Sequence, residues 1–190
     1  SSGAHLLINL DAIAANYCLL QKKAPGIEVA AVVKADAYGL GMAEIAPVLS
    51  KIGCRSFFTA TPEEGLELRS IVPNADVHVF NGPMPGIIED MIQNRLTPVL
   101  NGPDQARLWA EQLTRHQSQA QSKPLADLHL DTGMNRLGFT SKELKIFEEN
   151  SSFDHVLRLD IVMSHLACSN DPAHEMNVAQ RIAFEKRTKN

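Results

Sequence analysis

Short apolar runs alternate with amphipathic helical segments along most of the chain, and this alternation limits the fold more than any other feature. Parallel strands need a crossover between them, usually a helix, so strand–helix repetition implies βα units and a parallel sheet. Strand-like runs fall at residues 6–10, 27–33, 55–59, 77–80, 97–100, 125–130 and 157–164. The run at 27–33 carries Val29, Val32 and Val33 and reads as a strand buried on both faces. Between the runs lie helix signals. Asp11 is placed to cap a helix with Ile13, Tyr17 and Leu20 on its apolar face, and Pro25-Gly26 ends it. Residues 41–52 are helical, and Thr61-Pro62-Glu63-Glu64 has proline in the first turn and capping-box spacing. Ile87, Ile88, Met91 and Ile92 mark another face, and Pro103-Asp104 opens a helix containing Trp109 and Leu113. Residues 115–123 read as a helix end plus surface loop, Thr140-Ser141-Lys142-Glu143 starts a helix, and residues 175–186 form the last.

About six of these units fit one sheet. Eight closed units over about 250 residues make a (β/α)8 barrel. The chain has 190 residues and ends inside a helical pattern, so it reads either as an open α/β sheet or as a TIM-type barrel that is incomplete here. Residues 1–10 form a lead-in segment with a short strand, and residues 11–190 the barrel part. With 44% hydrophobic and 21% charged residues, the composition is that of a soluble globular protein. A net charge of −4 gives no electrostatic reason to expect nucleic acid or an anionic membrane as partner. No apolar run approaches the roughly 20 residues of a membrane helix, and the N-terminus lacks signal-peptide regions. Cys18, Cys54 and Cys168 are far apart and form no Cys-x-x-Cys pair, which suits reduced core thiols in a cytoplasmic protein.

In parallel α/β folds the chemistry sits at the carboxyl ends of strands. Three polar clusters fall there. In the first, 33–41, Lys34 directly follows a valine run, ahead of Tyr38, Gly39 and Gly41. Burial lowers a lysine's pKa and frees its amine for Schiff-base formation; the plainer alternative is a strand-end lysine reaching for solvent before a glycine turn. The second, 129–139, places Arg136 among glycines after a strand, suited to gripping a carboxylate, or merely paired to Asp131. The third, Ser164-His165-Leu166-Ala167-Cys168, offers a histidine for stacking or hydrogen bonding, though a satisfied core histidine is commoner. His165, Cys168, Asp171 and His174 match no familiar metal spacing, so no metal is expected. The chain has no Gly-x-Ser-x-Gly, Gly-x-Gly-x-x-Gly or Walker sequence. The paired carboxylates Glu63-Glu64 and Glu148-Glu149 read as solvated helix ends.

Taken together, Val32-Val33-Lys34-Ala35-Asp36-Ala37-Tyr38-Gly39-Leu40-Gly41 resembles the pyridoxal-phosphate attachment sequence of the alanine racemases. Asp131-Thr132-Gly133-Met134-Asn135-Arg136-Leu137-Gly138 resembles that family's second signature, and Ser164-His165-Leu166-Ala167 a third, in the right order. The likeness runs from about Leu7 to the chain end. It implies a (β/α)8 barrel followed by a β-rich C-terminal domain that is absent here, in a homodimer. It implies that Lys34 carries pyridoxal 5'-phosphate and acts as base on the D-alanine face. Tyr38 is implied to contact the phosphate, Arg136 to bind substrate, and His165 to pack near the pyridine ring. The implied activity is interconversion of L- and D-alanine by two-base proton transfer, supplying D-alanine for peptidoglycan. The second base is implied to be a partner-subunit tyrosine beyond Asn190. Leu40 stands where the family often has histidine, and His129 where it often has a lysine that is carbamylated in some members. An anion bridging His129 and Arg136 is the hypothesis this raises. The rival readings are another pyridoxal-phosphate barrel (a racemase of other amino acids or a decarboxylase), a non-catalytic barrel that binds the cofactor, and a plain structural α/β domain.

Overall fold

A computed structural model describes residues 3–116, 124–150 and 156–189. Among the described residues six strands are separated by helical segments, as α/β patterning requires, with two such segments between the first two strands, the first of them a short left-handed turn rather than a true helix. The chain divides into two units, Ser1–Val79 and Phe80–Asn190.

The first unit contains α1 (Leu10–Lys23), β1 (Ala31–Val32), α2 (Lys34–Gly39), α3 (Met42–Lys51), β2 (Ser56–Thr59), α4 (Pro62–Ile71) and β3 (Asp76–Val79). Its strands are parallel, with Ala31 opposite Phe57, and Phe57 opposite Val77. Val33, Phe57, Leu68, Val77 and Val79 fill its core. Three expectations change here. Residues 6–10 form no strand, because among the described residues no neighbour pairs with them; Leu6 and Leu7 are exposed and Leu10 already begins α1. The cap of α1 is Asn9, whose side chain accepts from Ala12 N, while Asp11 lies in the first turn; of the expected apolar face only Tyr17 is buried. The run at 27–33 yields just two strand residues. Among the described residues β1 pairs on one side only, with β2, so Val32 is 40% exposed and Ile27 71%. The capping box at Thr61 and Glu64 forms as read.

The second unit contains α5 (Ile88–Gln93), β4 (Leu96–Leu100), α6 (Pro103–His116), β5 (Leu125–His129), α7 (Ser141–Glu149), β6 (Arg158–Met163) and α8 (Glu175–Arg187). Its strands are again parallel, with Leu100 opposite Leu128 and His129 opposite Met163. The β5–β6 register shifts between Ala126 and Leu128, and the fully buried Asp127 carboxylate accepts from Ile161 N beside that irregularity. Trp109, Leu100, Leu130 and Phe139 are completely enclosed. Thr140 and Glu143 close a second capping box at α7. The helix end expected at the start of the 115–123 stretch is the end of α6 at His116, and the rest of that stretch, 117–123, lies outside the described residues. Cys54 is a core thiol, whereas Cys18 and Cys168 are half-buried. Among the described residues no helix is long and apolar enough to cross a membrane.

Candidate functional site

Lys34 stands at the carboxyl end of β1, half-buried rather than buried. What singles it out is the backbone after it. Ala35, Asp36, Ala37 and Tyr38 all adopt left-handed conformations, with φ of 51, 52, 52 and 59°. Each such non-glycine residue costs about 1–2 kcal/mol, and strained backbone persists only where its surroundings over-determine it. Here they do. Glu64 Oε1 accepts from Ala35 N at 2.8 Å, while its Oε2 accepts from Ala60 N at 2.7 Å. Asp36 Oδ1 accepts from Met42 N at 2.6 Å, capping α3 in place of Gly41. Ala37 N donates to Val33 O, and Gly41 N to Asp36 O. The sequence reading assigned the tight backbone to Gly39 and Gly41; the strain falls chiefly on the four residues before them.

The result is a pair of side chains on one turn. Lys34 Nζ lies 5.8 Å from the Tyr38 ring centroid. Tyr38 is 63% exposed, and among the described residues nothing hydrogen-bonds its hydroxyl. An amine that can condense with an aldehyde thus lies beside a phenol that can donate to an anion. Glu64, read from sequence as solvated surface, instead clamps this turn. The signal was its capping-box position, which made it an acceptor of backbone N–H groups without revealing the second segment it holds.

The second unit gathers Arg136, His165 and His129. Arg136 does not pair with Asp131. The Asp131 carboxylate accepts from Gly133 N and Asn135 N, both at 3.0 Å. Partial burial pushes the Asp131 pKa up, but the N–H donors of Asn135, Gly133 and Met134 and the charge of Arg187 outweigh this and hold it below its ordinary value. The loop closes by Phe139 N donating to His129 O at 2.7 Å, and Asp131 N to Phe139 O at 3.0 Å. Gly138, at φ +106°, is essential to that closure: a Cβ there would lie 2.7 Å from Asp131 N and 3.0 Å from His129 O. Arg136 is left exposed at the loop tip.

His165 is exposed, and its backbone is held by a residue the sequence reading missed. Gln180 of α8 is 2% exposed; its Nε2 donates to His165 O at 2.9 Å and to Thr132 Oγ1 at 3.1 Å. Its Oε1 accepts from Ala167 N at 2.8 Å. Ser164 Oγ donates to Leu130 O, so the Thr132 hydroxyl must donate to Ser164 Oγ, at 2.7 Å. The chain of donors therefore has one direction, from α8 into the end of β5. A glutamine on a polar helix gives no sequence sign of such a role. His174 and Asp171 cap local turns, accepting from Met176 N and Ala173 N.

The His129 pKa is lowered by burial and then by the neighbouring charges of His165 and Arg136, with Asp131 opposing. These three neighbours place His129 in the same electrostatic cluster as both signature residues.

Residues 8–190 match the family described as alanine racemase, N-terminal domain. The chain is 42% identical over 187 residues to an alanine racemase of Rhodospirillum rubrum, covering 95% of this chain and 48% of that protein. It is 43% identical over 187 residues to an alanine racemase of Cereibacter sphaeroides, covering 97% and 50% respectively. The crystal structure of alanine racemase from Bartonella henselae, which carries covalently bound pyridoxal phosphate, superposes with a TM-score of 0.88 at 35% identity, over 95% of this chain and 52% of that one. The chain spans about half the length of the curated relatives it matches. On its matched length, fold and signatures, the chain belongs to the alanine racemase N-terminal domain family.

Proposed function

We propose that this chain is the cofactor-bearing part of an alanine racemase, an isomerase that interconverts L- and D-alanine with pyridoxal 5'-phosphate. The observation that carries the proposal is the Lys34–Tyr38 pair, held on a strained turn at a strand's carboxyl end. Its donor set fits the cofactor: the Lys34 amine suits the aldehyde, and the unengaged Tyr38 hydroxyl suits a phosphate oxygen. When bound, the cofactor supplies an electron sink that makes the substrate α-proton acidic.

Lys34 then has two tasks, holding the cofactor and moving a proton at Nζ on the D-alanine face. Arg136, an obligate donor with no acceptor, binds substrate, and His165 packs near the cofactor ring. Racemisation needs a second base on the opposite face. Tyr17 is unsuited, because its hydroxyl donates to Val29 O at 2.8 Å. Burial and a hydrogen bond with Cys54 push its pKa up to about 12. Tyr38 shares a turn with Lys34. From the resemblance to the family, the second base is proposed to be a partner-subunit tyrosine, in a cytoplasmic homodimer that supplies D-alanine for peptidoglycan.

The test is to add pyridoxal phosphate, reduce with borohydride and map the adduct by mass spectrometry. Modification of Lys34 is expected, and modification confined to other lysines overturns the assignment. Assays with alanine, lysine and ornithine separate the alanine racemase from a racemase or decarboxylase of other amino acids. Complementation of a D-alanine auxotroph by the protein as its gene encodes it checks the cell-wall role, and sedimentation checks the dimer.

A further inference from the structure

Helix α8 grips the 165–171 loop by its backbone, from Asn177 and Gln180, which lie one turn apart on one face. Asn177 Nδ2 donates to Asp171 O at 2.8 Å and to Cys168 O at 3.2 Å. Gln180 takes the other end of the loop, at His165 O and Ala167 N. Those two contacts fix the direction of the Gln180 amide. A backbone N–H only donates and a carbonyl only accepts, so Oε1 must face Ala167 N and Nε2 must face His165 O. A flipped amide would break both contacts.

The second Nε2 proton goes to Thr132 Oγ1, at 3.1 Å. Thr132 can accept it because its own proton is committed to Ser164 Oγ. The three neighbours thus ask for one acceptor and two donors from a residue that is 2% exposed. Among side chains only a primary amide supplies that set. The stem of Gln180 carries the second signature as well, since a Cβ added at Gly133 would lie 3.7 Å from Gln180 Cγ. One buried carboxamide side chain therefore touches both signature loops of this unit, the second through Thr132 and Gly133 and the third through His165 and Ala167. His165 is exposed, so the placing of its backbone decides where its ring can reach.

We infer that Gln180 is a positioning residue for the cofactor site: it joins the second signature loop to the third and, through the His165 carbonyl, sets where the His165 ring meets the cofactor. The cofactor half of this inference rests on the proposed function; the joint between the loops does not.

The test follows the His165 ring resonances by NMR as pyridoxal phosphate is added to the protein as its gene encodes it. In the wild type the cofactor is expected to shift them. Gln180→Met keeps the length and helix propensity of the side chain but loses its amide donors and acceptor. In that variant the shift is expected to fall by about half or more, and the half-saturating concentration of pyridoxal phosphate to rise about tenfold. Thr140→Ala strips the cap of α7 and leaves the joint untouched, so it controls for a merely structural loss and is expected to keep both wild-type values. A folded Gln180→Met that keeps the wild-type shift, or a Thr140→Ala that loses it as far, overturns the positioning role. The wild type also decides without any variant having to fold: fast hydrogen exchange at the Ala167 N–H overturns the joint. An adduct at Lys34 with no shift at His165 overturns the cofactor half and leaves the proposed function standing. No adduct at Lys34, with Ala167 still protected, overturns the proposed function and the cofactor half together and leaves the joint standing.

Discussion

The two signature loops hold unusual backbone in opposite ways. The turn after Lys34 puts four successive non-glycine residues in the left-handed region and secures them from outside, through Glu64 of α4 and the Asp36 cap on α3. The loop from Asp131 to Phe139 secures its unusual backbone mainly through its own groups, with Gln180 of α8 reaching Thr132 from outside. Asp131 collects the N–H groups of its own loop, glycine occupies positions 133 and 138, and Asn135 is the one non-glycine residue there with positive φ, at 56°. The first loop depends on tertiary contacts and the second on local chemistry. They should therefore fail differently.

The largest effect is expected where local chemistry leaves no alternative. Gly138→Ala combines a left-handed φ with a Cβ 2.7 Å from backbone nitrogen. It should cost about 3 kcal/mol or more by denaturant unfolding. Gly39→Ala is the matched control, since its φ is +80° but nothing lies within 4 Å of the added Cβ. It should cost only about 1 kcal/mol. Equal costs at the two sites would erase the distinction between the loops.

Glu64→Ala probes the externally held turn. It leaves Ala35 N and Ala60 N without their carboxylate acceptor and removes half of a capping box. A loss of about 2 kcal/mol is expected, together with slower or weaker adduct formation at Lys34 as the turn relaxes. Gln180→Leu is the corresponding break in the second unit. It strips Ala167 N of its acceptor and His165 O and Thr132 Oγ1 of their donor, for about 1–3 kcal/mol. Hydrogen exchange should quicken at Ala167 without quickening at Ala35, and the reverse should hold for Glu64→Ala.

The same contrast explains what sequence could reveal. Alternating patterning announces βα units, and Thr61–Glu64 and Thr140–Glu143 announce helix starts, because both signals are local. The residues at the candidate site were legible as three strand-end clusters. Their supports were not. Glu64, Asn101 and Gln180 act across 29, 28 and 48 residues of chain on Ala35, His129 and Thr132, and nothing beside them in sequence reports that partner. The strand at 27–33 misread for a related reason. A valine-rich run signals burial on both faces only if neighbours flank it, and β1 pairs with β2 alone among the described residues.

The smallest expected effect tests whether the self-held loop is electrostatic as well as steric. Asp131 is held below its ordinary value of 3.8 in the folded chain. In the window below 3.8 the unfolded chain binds more protons than the folded one, so stability rises with pH there. The contribution is fully present above the unfolded value and is lost as pH falls through the folded one. Asp131→Asn keeps one acceptor oxygen but cannot titrate. Wild type should therefore be the more stable near neutrality, by under about 1 kcal/mol because the carboxylate is only partly shielded from solvent. The gap should close as urea midpoints are followed from neutral into strong acid. A gap that stays constant across that range would mean the loop needs only the shape of the Asp131 side chain. The charge would then be incidental, and the second loop would be as purely geometric as the glycine at 138 makes it look.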